Sequence, residues 1–161
     1  MTVDELLIRD AVDSDSAGLI ALIDAVFREY PGCVLDLEDD MPDLLRPASA
    51  FAEKGGRLWT VERGGEVVAC IGCRFDGPEA ELLRLYVGRG VRGAGIGTRL
   101  VAIVEDAARR GGCTRMVLWT DTRFADAHRL YERLGYDRQE GSRALHDLSN
   151  SVEYCYRKAL A

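Results

Sequence analysis

The sequence predicts an α/β fold of the α+β type, with a mixed, mostly antiparallel central sheet flanked by helices. Two patterns support this prediction. A meander of short apolar strands occupies the middle of the chain, and strand–helix–strand–helix followed by two closing strands comes after it. The length of 161 residues is enough for one hydrophobic core and too short for two ordinary domains. We therefore expect residues 1–161 to form a single domain.

The first half of the chain contains one amphipathic helix, a region broken by prolines and a strand meander. Apolar residues at helical spacing indicate the helix, while Pro42 and Pro47 limit the next region to short helical pieces. Gly64-Gly65 between two strand-like runs is typical of a hairpin. The predicted elements are a strand at 5–9, a helix within 11–30, short helical pieces within 31–56, a hairpin at 57–75 and a strand at 79–87.

The second half of the chain alternates helices with strands. Its first helix has an apolar stripe, two arginines in the last turn and Gly111-Gly112 at its end, which together indicate an amphipathic helix with a glycine stop. The predicted elements are a glycine loop at 88–95, a helix at 96–110, a strand at 114–120, a helix at 124–135 and closing strands at 136–140 and 151–160.

Composition and charge argue against several classes of protein. With 21 Lys and Arg against 27 Asp and Glu, the net charge is −6, which provides no overall attraction to nucleic acid or to an anionic membrane. The first residues lack a basic, apolar leader and no later run could span a bilayer, so we expect a cytoplasmic protein with five reduced cysteines. No metal is expected, because Cys70 and Cys73 fall on opposite faces of a predicted strand.

The run LYVGRGVRGAGIGTRL, residues 85–100, contains two overlapping glycine patterns. Gly88, Gly90 and Gly93 match the GxGxxG pattern of dinucleotide-binding proteins, which would make the protein an oxidoreductase. That fold needs further strand–helix units, but the part of the chain after Gly93 is short and closes in two strands. The dinucleotide pattern is therefore a weak match.

The second pattern, Arg92-Gly93-Ala94-Gly95-Ile96-Gly97, predicts a phosphate site at the start of a helix. Consecutive backbone N–H groups point at one place near the positive end of the helix dipole. Glycine is needed because a side chain would keep a diphosphate from reaching these amides. Arg92 can add a cation at the rim. We prefer this interpretation to a glycine-rich turn that only permits close packing.

Two segments, ELLRLYVGRGVRGAGIGTRLV and AHRLYERLGY, resemble the GCN5-related N-acetyltransferase (GNAT) superfamily. The resemblance implies that acetyl-CoA is the co-substrate, with its pyrophosphate on the glycine loop and its pantetheine arm between strands 82–87 and 115–120, which splay apart. One departure is Phe124, where family members often have an asparagine. The residues that the resemblance assigns to the coenzyme are Leu85, Tyr86, Val87, Arg92, Gly93, Ala94, Gly95, Ile96, Gly97 and Thr98.

The resemblance also implies catalytic roles. Acetylation of an amine requires that the amine lose a proton, that the oxyanion receive hydrogen bonds and that the leaving thiolate be protonated. Glu81 is the candidate base, Tyr131 the candidate acid and a backbone amide near Leu85 the candidate oxyanion donor. The alternative for Glu81 is a solvated strand residue. For Tyr131 it is core packing, which a tyrosine ring can combine with a reactive hydroxyl.

The resemblance further implies that the segment between the first two helices and the last hairpin loop cover the acceptor. Glu29 and Tyr30 are the candidates in the first segment, and Arg143 and His146 are those in the second. Arg143 could hold a substrate carboxylate, His146 is a rival base, and the acids within 36–40 could attract a cationic amine. Solvated loop residues would give the same pattern.

These residues predict an acetyl-CoA-dependent N-acetyltransferase whose acceptor attacks the thioester directly through a primary amine. The acceptor is expected to be a small molecule, while an amino acid, an antibiotic and a protein lysine or N-terminus stay open. A non-catalytic acyl-CoA sensor that acts through a partner protein is the alternative. A homodimer is also possible, since the resemblance is to a family in which dimers are common.

Overall fold

The computed structural model describes residues 5–160, in which eight strands form one sheet with helices on both faces. The strands are β1 Leu6–Asp10, β2 Gly56–Arg63, β3 Glu66–Asp76, β4 Glu79–Val87, β5 Arg115–Asp121, β6 Asp137–Arg138, β7 Arg143–Ala144 and β8 Val152–Ala159. The α-helices are α1 Ser16–Phe27, α2 Pro47–Glu53, α3 Ile96–Arg110 and α4 Ala125–Arg133. Short 3-10 turns cover Asp13–Asp15, Pro42–Leu45 and Arg89–Val91.

The strands follow the spatial order β1-β2-β3-β4-β5-β8-β6, and the short β7 also pairs with β8. Paired strands are antiparallel, with the exception of β4 and β5, which are parallel. A parallel pair needs a crossover connection, and α3 provides it. The predicted mixed, mostly antiparallel sheet flanked by helices is confirmed.

The sheet separates two hydrophobic cores. On one face α3 and α4 pack over the sheet, with Leu100 fully buried between them and the strands. On the other face α1 and α2 contribute Ile23 and Phe51. Cys70 and Cys73 of β3 are both fully buried and belong to different cores, as their odd spacing along a strand predicts.

The sheet opens between β4 and β5. Their parallel register covers only Glu79–Leu82 against Arg115–Leu118. The register of β4 against β3 also shifts next to Cys70, where Arg84 takes a positive φ of 57°. Beyond this bulge, residues 83–87 have no partner strand on the β5 side within the described part of the chain. The opening agrees with the splayed strands that the family resemblance implies.

The segment before β8 differs from its prediction. One strand was expected at 136–140, but β6 is only two residues long and the unpredicted β7 follows it. Gly141, with a φ of +82°, turns the chain between them. Both short strands pair with different parts of the long β8. The predicted strand is therefore shorter than expected, and a second strand follows it.

Three further expectations can be compared with residues 5–160. No helix in this range combines the length and apolar character needed to cross a membrane. In the same range, His, Cys, Asp and Glu side chains form no group of three that could hold a metal ion. The cysteines are free thiols, of which Cys33 is half-buried and the others are buried.

Candidate active site

Two cavities lie beside the opening between β4 and β5. The glycine-loop cavity has a volume of about 490 Å³ and lies between β4, the loop before α3 and α4. The polar cavity has a volume of about 210 Å³ and is lined by β4, β5, β8 and the loops that follow α1 and β7. Leu85, Tyr86, Phe124 and Ala127 line both. The cavities therefore meet at the carboxyl half of β4, where the sheet is open.

The loop before α3 adopts a conformation that suits glycine. Gly93 and Gly95 have φ angles of +82° and +78°, at which a side chain would be strained. A Cβ at either position would meet no atom within 4 Å, so the space in front of the helix is open. The first backbone hydrogen bond of α3 is donated by Arg99 N to Gly95 O at 3.1 Å, and the amides of residues 96–98 have no intrahelical partner. This arrangement fits a phosphate.

The residues predicted to bind the coenzyme converge on the glycine-loop cavity. All of them line it except Ala94, which is exposed and lies outside the lining. Gly97 also has a packing role, because a Cβ there would come within 3.0 Å of Leu130 Cδ2 in α4. Close packing, which the sequence offered as the alternative for all of these glycines, thus applies to Gly97 but not to Gly93 or Gly95.

Arg92 forms an ion pair that the sequence did not indicate. Its Nη1 and Nη2 donate to Oε1 and Oε2 of Glu29 at 2.6 and 2.8 Å, and its Nε donates to the carbonyl of Val87 at 2.9 Å. The hydrogen bonds from Arg92 lower the pKa of Glu29, because they stabilise its carboxylate. Arg92 is thereby fixed at the edge of the glycine-loop cavity, where an incoming anion must compete with Glu29.

Glu29 and Tyr30, which the sequence predicts to bind the acceptor, do not line the polar cavity. Because α1 ends at Phe27, the next turn brings Glu29 to Arg92 and Tyr30 to the glycine-loop cavity. Tyr30 packs there against Phe124, with 4.9 Å between ring centroids. Tyr30 therefore belongs to the wall of the glycine-loop cavity, and Glu29 is tied to that wall through its ion pair with Arg92.

Tyr131 lines the polar cavity from α4. Its side chain is almost completely buried, with the rings of Tyr136 and Tyr156 at centroid distances of 5.8 Å each. Burial raises the pKa of the Tyr131 phenol, and the neighbouring Tyr156 adds to the shift, so the hydroxyl stays protonated at neutral pH. Tyr131 thus combines a place in the core with a place in the cavity lining.

Glu81 lines the same cavity from β4. Its Oε1 accepts a hydrogen bond from Nη2 of Arg74, the residue opposite it on β3, at 2.5 Å. The Glu81 side chain keeps 21% of its surface exposed. The ion pair fixes the direction of the carboxylate and leaves Oε2 without a hydrogen bond among the described residues.

Arg143 lines the polar cavity, whereas His146 does not. The Nε and Nη2 of Arg143 lie 2.9 and 2.8 Å from Oε1 of Glu153, and its guanidinium lies 3.8 Å from the centre of the Trp119 ring. Glu153 already engages the charge of Arg143, so a substrate carboxylate would have to displace Glu153 to pair with it. His146, predicted as an acceptor residue or rival base, is exposed and lies outside both linings.

Sequence reasoning missed much of the polar cavity. One signal was available: Arg84 is a charged residue within an apolar strand, and its guanidinium donates to both oxygens of Asp43 at 2.9 and 3.2 Å. The other contributors come from ends of strands and from loops, where no local pattern marks them. The lining residues with polar or aromatic side chains that the sequence did not assign to the site include Phe27, Arg84, Trp119, Thr120, Asp121, Asp147, Ser149, Ser151 and Glu153.

Comparison with known proteins agrees with this geometry. Residues 19–136 match the acetyltransferase (GNAT) family. The chain is 33% identical to N-acetyltransferase 8 of Rattus norvegicus over 108 residues, which are 63% of this chain and 48% of that protein. The chain thus spans about half the length of several curated relatives that it matches.

Solved structures share the fold. A GNAT-family acetyltransferase of Staphylococcus aureus Mu50 superposes with a TM-score of 0.83 at 22% identity, covering 98% of this chain and 100% of that one. The yncA protein of Salmonella typhimurium, solved with acetyl-CoA, has a TM-score of 0.74 at 22% identity and covers 97% and 94%. Because the family match extends over most of the sequence and includes the glycine loop, the chain belongs to the GNAT acetyltransferase family.

Proposed function

We propose that this protein transfers the acetyl group of acetyl-CoA to a primary amine of a small molecule. The observation that carries the proposal is the meeting of two cavities at Leu85, one suited to a diphosphate and the other lined by Glu81 and Tyr131. Direct transfer needs such a junction, because the acceptor amine must reach the carbonyl carbon of the thioester in a defined orientation.

The glycine-loop cavity would bind the coenzyme through its diphosphate. The amides of residues 96–98 would donate to the phosphate oxygens, and Arg92 would exchange Glu29 for the phosphate charge. The free edge of β4 at 83–87 offers backbone hydrogen bonds to the pantetheine arm. With the arm in the opening of the sheet, the thioester would lie near Leu85, whose amide is the proposed oxyanion donor.

Attack on the thioester requires a neutral amine. An alkyl amine has a pKa of about 10, so only about one molecule in a thousand is neutral at pH 7. In this proposal Glu81 accepts the proton, directly or through a water molecule, at the oxygen that Arg74 does not engage. The carbon–nitrogen bond then forms, the nitrogen releases its second proton, and the oxyanion collapses as the carbon–sulfur bond breaks. The second proton balances the one that the departing thiolate gains.

Tyr131 would stabilise the departing sulfur. Its buried phenol remains protonated and can donate a hydrogen bond to the thiolate. A thiol has an ordinary pKa of about 8.5, below that of a phenol, so complete proton transfer from Tyr131 would be uphill in water. Burial raises the pKa of the phenol and of the thiol alike, so the role proposed for Tyr131 is the hydrogen bond that stabilises the departing sulfur.

The size of the polar cavity supports a small acceptor. Its volume of about 210 Å³ is below the range of about 300–1,000 Å³ that is typical for drug-sized ligands. Its lining combines apolar side chains with several charged ones, which suits a short amine better than a large hydrophobic molecule.

The proposal is tested by measuring acetyl-CoA-dependent thiol release with a panel of amines. Glu81→Gln and Tyr131→Phe should each lower kcat by about 100-fold or more, as expected for loss of general base or acid catalysis. Glu66→Gln and Tyr154→Phe are the matched controls, because both positions lie outside the two cavities, and they should retain full turnover.

Two other outcomes are informative. Unchanged turnover in both Glu81→Gln and Tyr131→Phe would contradict the assigned roles while leaving the reaction intact. Thermal stabilisation by coenzyme A without thiol release from any amine would contradict the proposed reaction and favour an acyl-CoA sensor.

A further inference from the structure

We propose that Asp40 selects acceptors with a second, non-reacting ammonium group, so that the preferred substrate is a diamine. This inference rests on the proposed acetyl transfer and deepens it by naming the chemical class of the acceptor. Asp40 would act as a specificity-determining residue of the polar cavity, and the reacting amine would be the other end of the same molecule.

The carboxylates that line the polar cavity are not equivalent. All but one of them are held by a protein partner. The partnered ones are Glu81 with Arg74, Asp121 with Arg123, Glu153 with Arg143, and Asp147 with the N–H and hydroxyl of Ser151. Within residues 5–160, Asp40 forms neither a hydrogen bond nor an ion pair, and it is the carboxylate of the lining left for a ligand.

The cations of the lining are already engaged. Arg84 donates to both oxygens of Asp43, and Arg143 is paired with Glu153 and stacked on Trp119. A substrate carboxylate would therefore meet negative charge and, among the described lining residues, no unengaged guanidinium. This charge balance favours an acceptor whose charged groups are all cations over an amino acid with a free carboxylate.

The position of Asp40 makes its lack of a partner costly. It is half-buried in the loop between α1 and α2, and this burial raises the pKa of its carboxyl group. Nearby Arg84 opposes the shift, and neighbouring carboxylates increase it. A partly dehydrated carboxylate without a partner is destabilised, so a ligand cation beside it would recover the lost solvation.

The group bound by Asp40 cannot be the amine that reacts. A carboxylate beside an ammonium favours its charged form, and Asp40 comes from the loop after α1, whereas Glu81, which takes the proton in the proposed reaction, lies on β4. The acceptor must therefore carry one amine that Asp40 keeps charged and another that becomes neutral near Glu81. Phe27, Met41 and Leu83 also line the cavity and provide an apolar surface for the methylene groups between the two amines.

The first test compares 1,4-diaminobutane with butylamine in the thiol-release assay. The wild-type protein should prefer the diamine by about 10- to 100-fold in kcat/KM, the range expected for one charge-assisted hydrogen bond. Asp40→Asn should remove this preference, mainly by raising KM for the diamine towards the value for butylamine. Asp39→Asn removes the same charge from an exposed neighbour outside the lining and should keep the preference.

A second readout does not depend on turnover. Calorimetric titration of 1,4-diaminobutane into the coenzyme A-saturated protein should detect binding that Asp40→Asn weakens about tenfold or more and Asp39→Asn does not. Asp40-dependent binding without thiol release would support the specificity role and overturn the proposed reaction. Thiol release with other amines but no diamine preference, or equal losses in Asp40→Asn and Asp39→Asn, would overturn the inference and leave the proposed reaction standing.

Discussion

The glycine-loop cavity and the polar cavity meet at the same strand but are built in different ways. The glycine-loop cavity takes its phosphate site from one continuous run, residues 92–98, and from backbone amides that α3 leaves unpaired. The polar cavity collects side chains from β4, β5, β7, β8, α4 and two loops, and nearly every charged one is tied to another charged or polar group. Backbone conformation builds one cavity, and paired side chains build the other.

This difference explains how each cavity tolerates change. Open space in front of α3 depends on two glycines at positive φ, so a side chain at either would fill the site itself. In the polar cavity, a single substitution removes one partner of an ion pair and changes charge while the backbone stays in place. Substitutions that add side-chain volume should therefore affect the glycine-loop cavity most, and substitutions that change charge should affect the polar cavity most.

The largest effect on acetyl-CoA binding is expected from Gly95→Ala. The added methyl group lies where the diphosphate would bind, and a φ of +78° disfavours alanine by roughly 1–2 kcal/mol. Titration calorimetry should show acetyl-CoA binding weakened by at least about 10-fold. Gly77→Ala is the matched control, since Gly77 also has a positive φ and open space but lies in the β3–β4 turn. Equal acetyl-CoA affinity in both variants would mean that the loop does not hold the diphosphate.

A smaller effect with opposite signs is expected from the ion pair at the rim. Arg92→Ala should weaken acetyl-CoA binding by about 10-fold, the lower range for a charge-assisted bond. Glu29→Gln should strengthen it a few-fold, because the phosphate then no longer competes with a carboxylate for Arg92. Binding measured at low and high salt should show a weaker salt dependence in Arg92→Ala.

For this pair, Arg28→Ala serves as the control, because Arg28 is a largely exposed arginine that pairs with Asp24 instead. A loss of coenzyme affinity in Glu29→Gln as large as that in Arg92→Ala would show that Glu29 positions Arg92 and does not compete with the phosphate.

The smallest effect concerns stability. Asp40→Asn should raise the melting temperature at pH 7 by about 1–3 °C, because it removes a partly buried, unpaired charge. The folded-state pKa of Asp40 lies above the unfolded value of about 3.9, so its charged form costs stability above the folded pKa. The advantage of Asp40→Asn should therefore shrink as the pH falls through that pKa and vanish below about 3.9. An advantage that persisted at acid pH, or that Asp39→Asn shared, would contradict this account.

The sequence predicts those features whose cause is local. Strand 79–87 and helix 96–110 coincide with β4 and α3, because strand alternation, helical periodicity and glycine stops act over neighbouring residues. The glycine loop belongs to the same class, since Gly93 and Gly95 are needed for the conformation of their own backbone. Each of these signals is contained within one short stretch of the chain.

Features that depend on distant partners could not be predicted. Glu29 was assigned to the acceptor because nothing near it in sequence reveals Arg92, with which it forms two hydrogen bonds. Glu105 lies buried in α3 because the Tyr136 hydroxyl and the Lys158 ammonium, both remote in sequence, bind its carboxylate. Such pairs become visible only when the fold has brought their members together.

A crystal structure of the protein with acetyl-CoA tests the central claim most directly, namely that the two cavities form one site joined at Leu85. The account predicts diphosphate oxygens about 3 Å from the amides of residues 96–98, Arg92 released from Glu29, and the acetyl group at the junction facing Glu81. A diphosphate bound away from α3, or an acetyl group that does not reach the polar cavity, would contradict it.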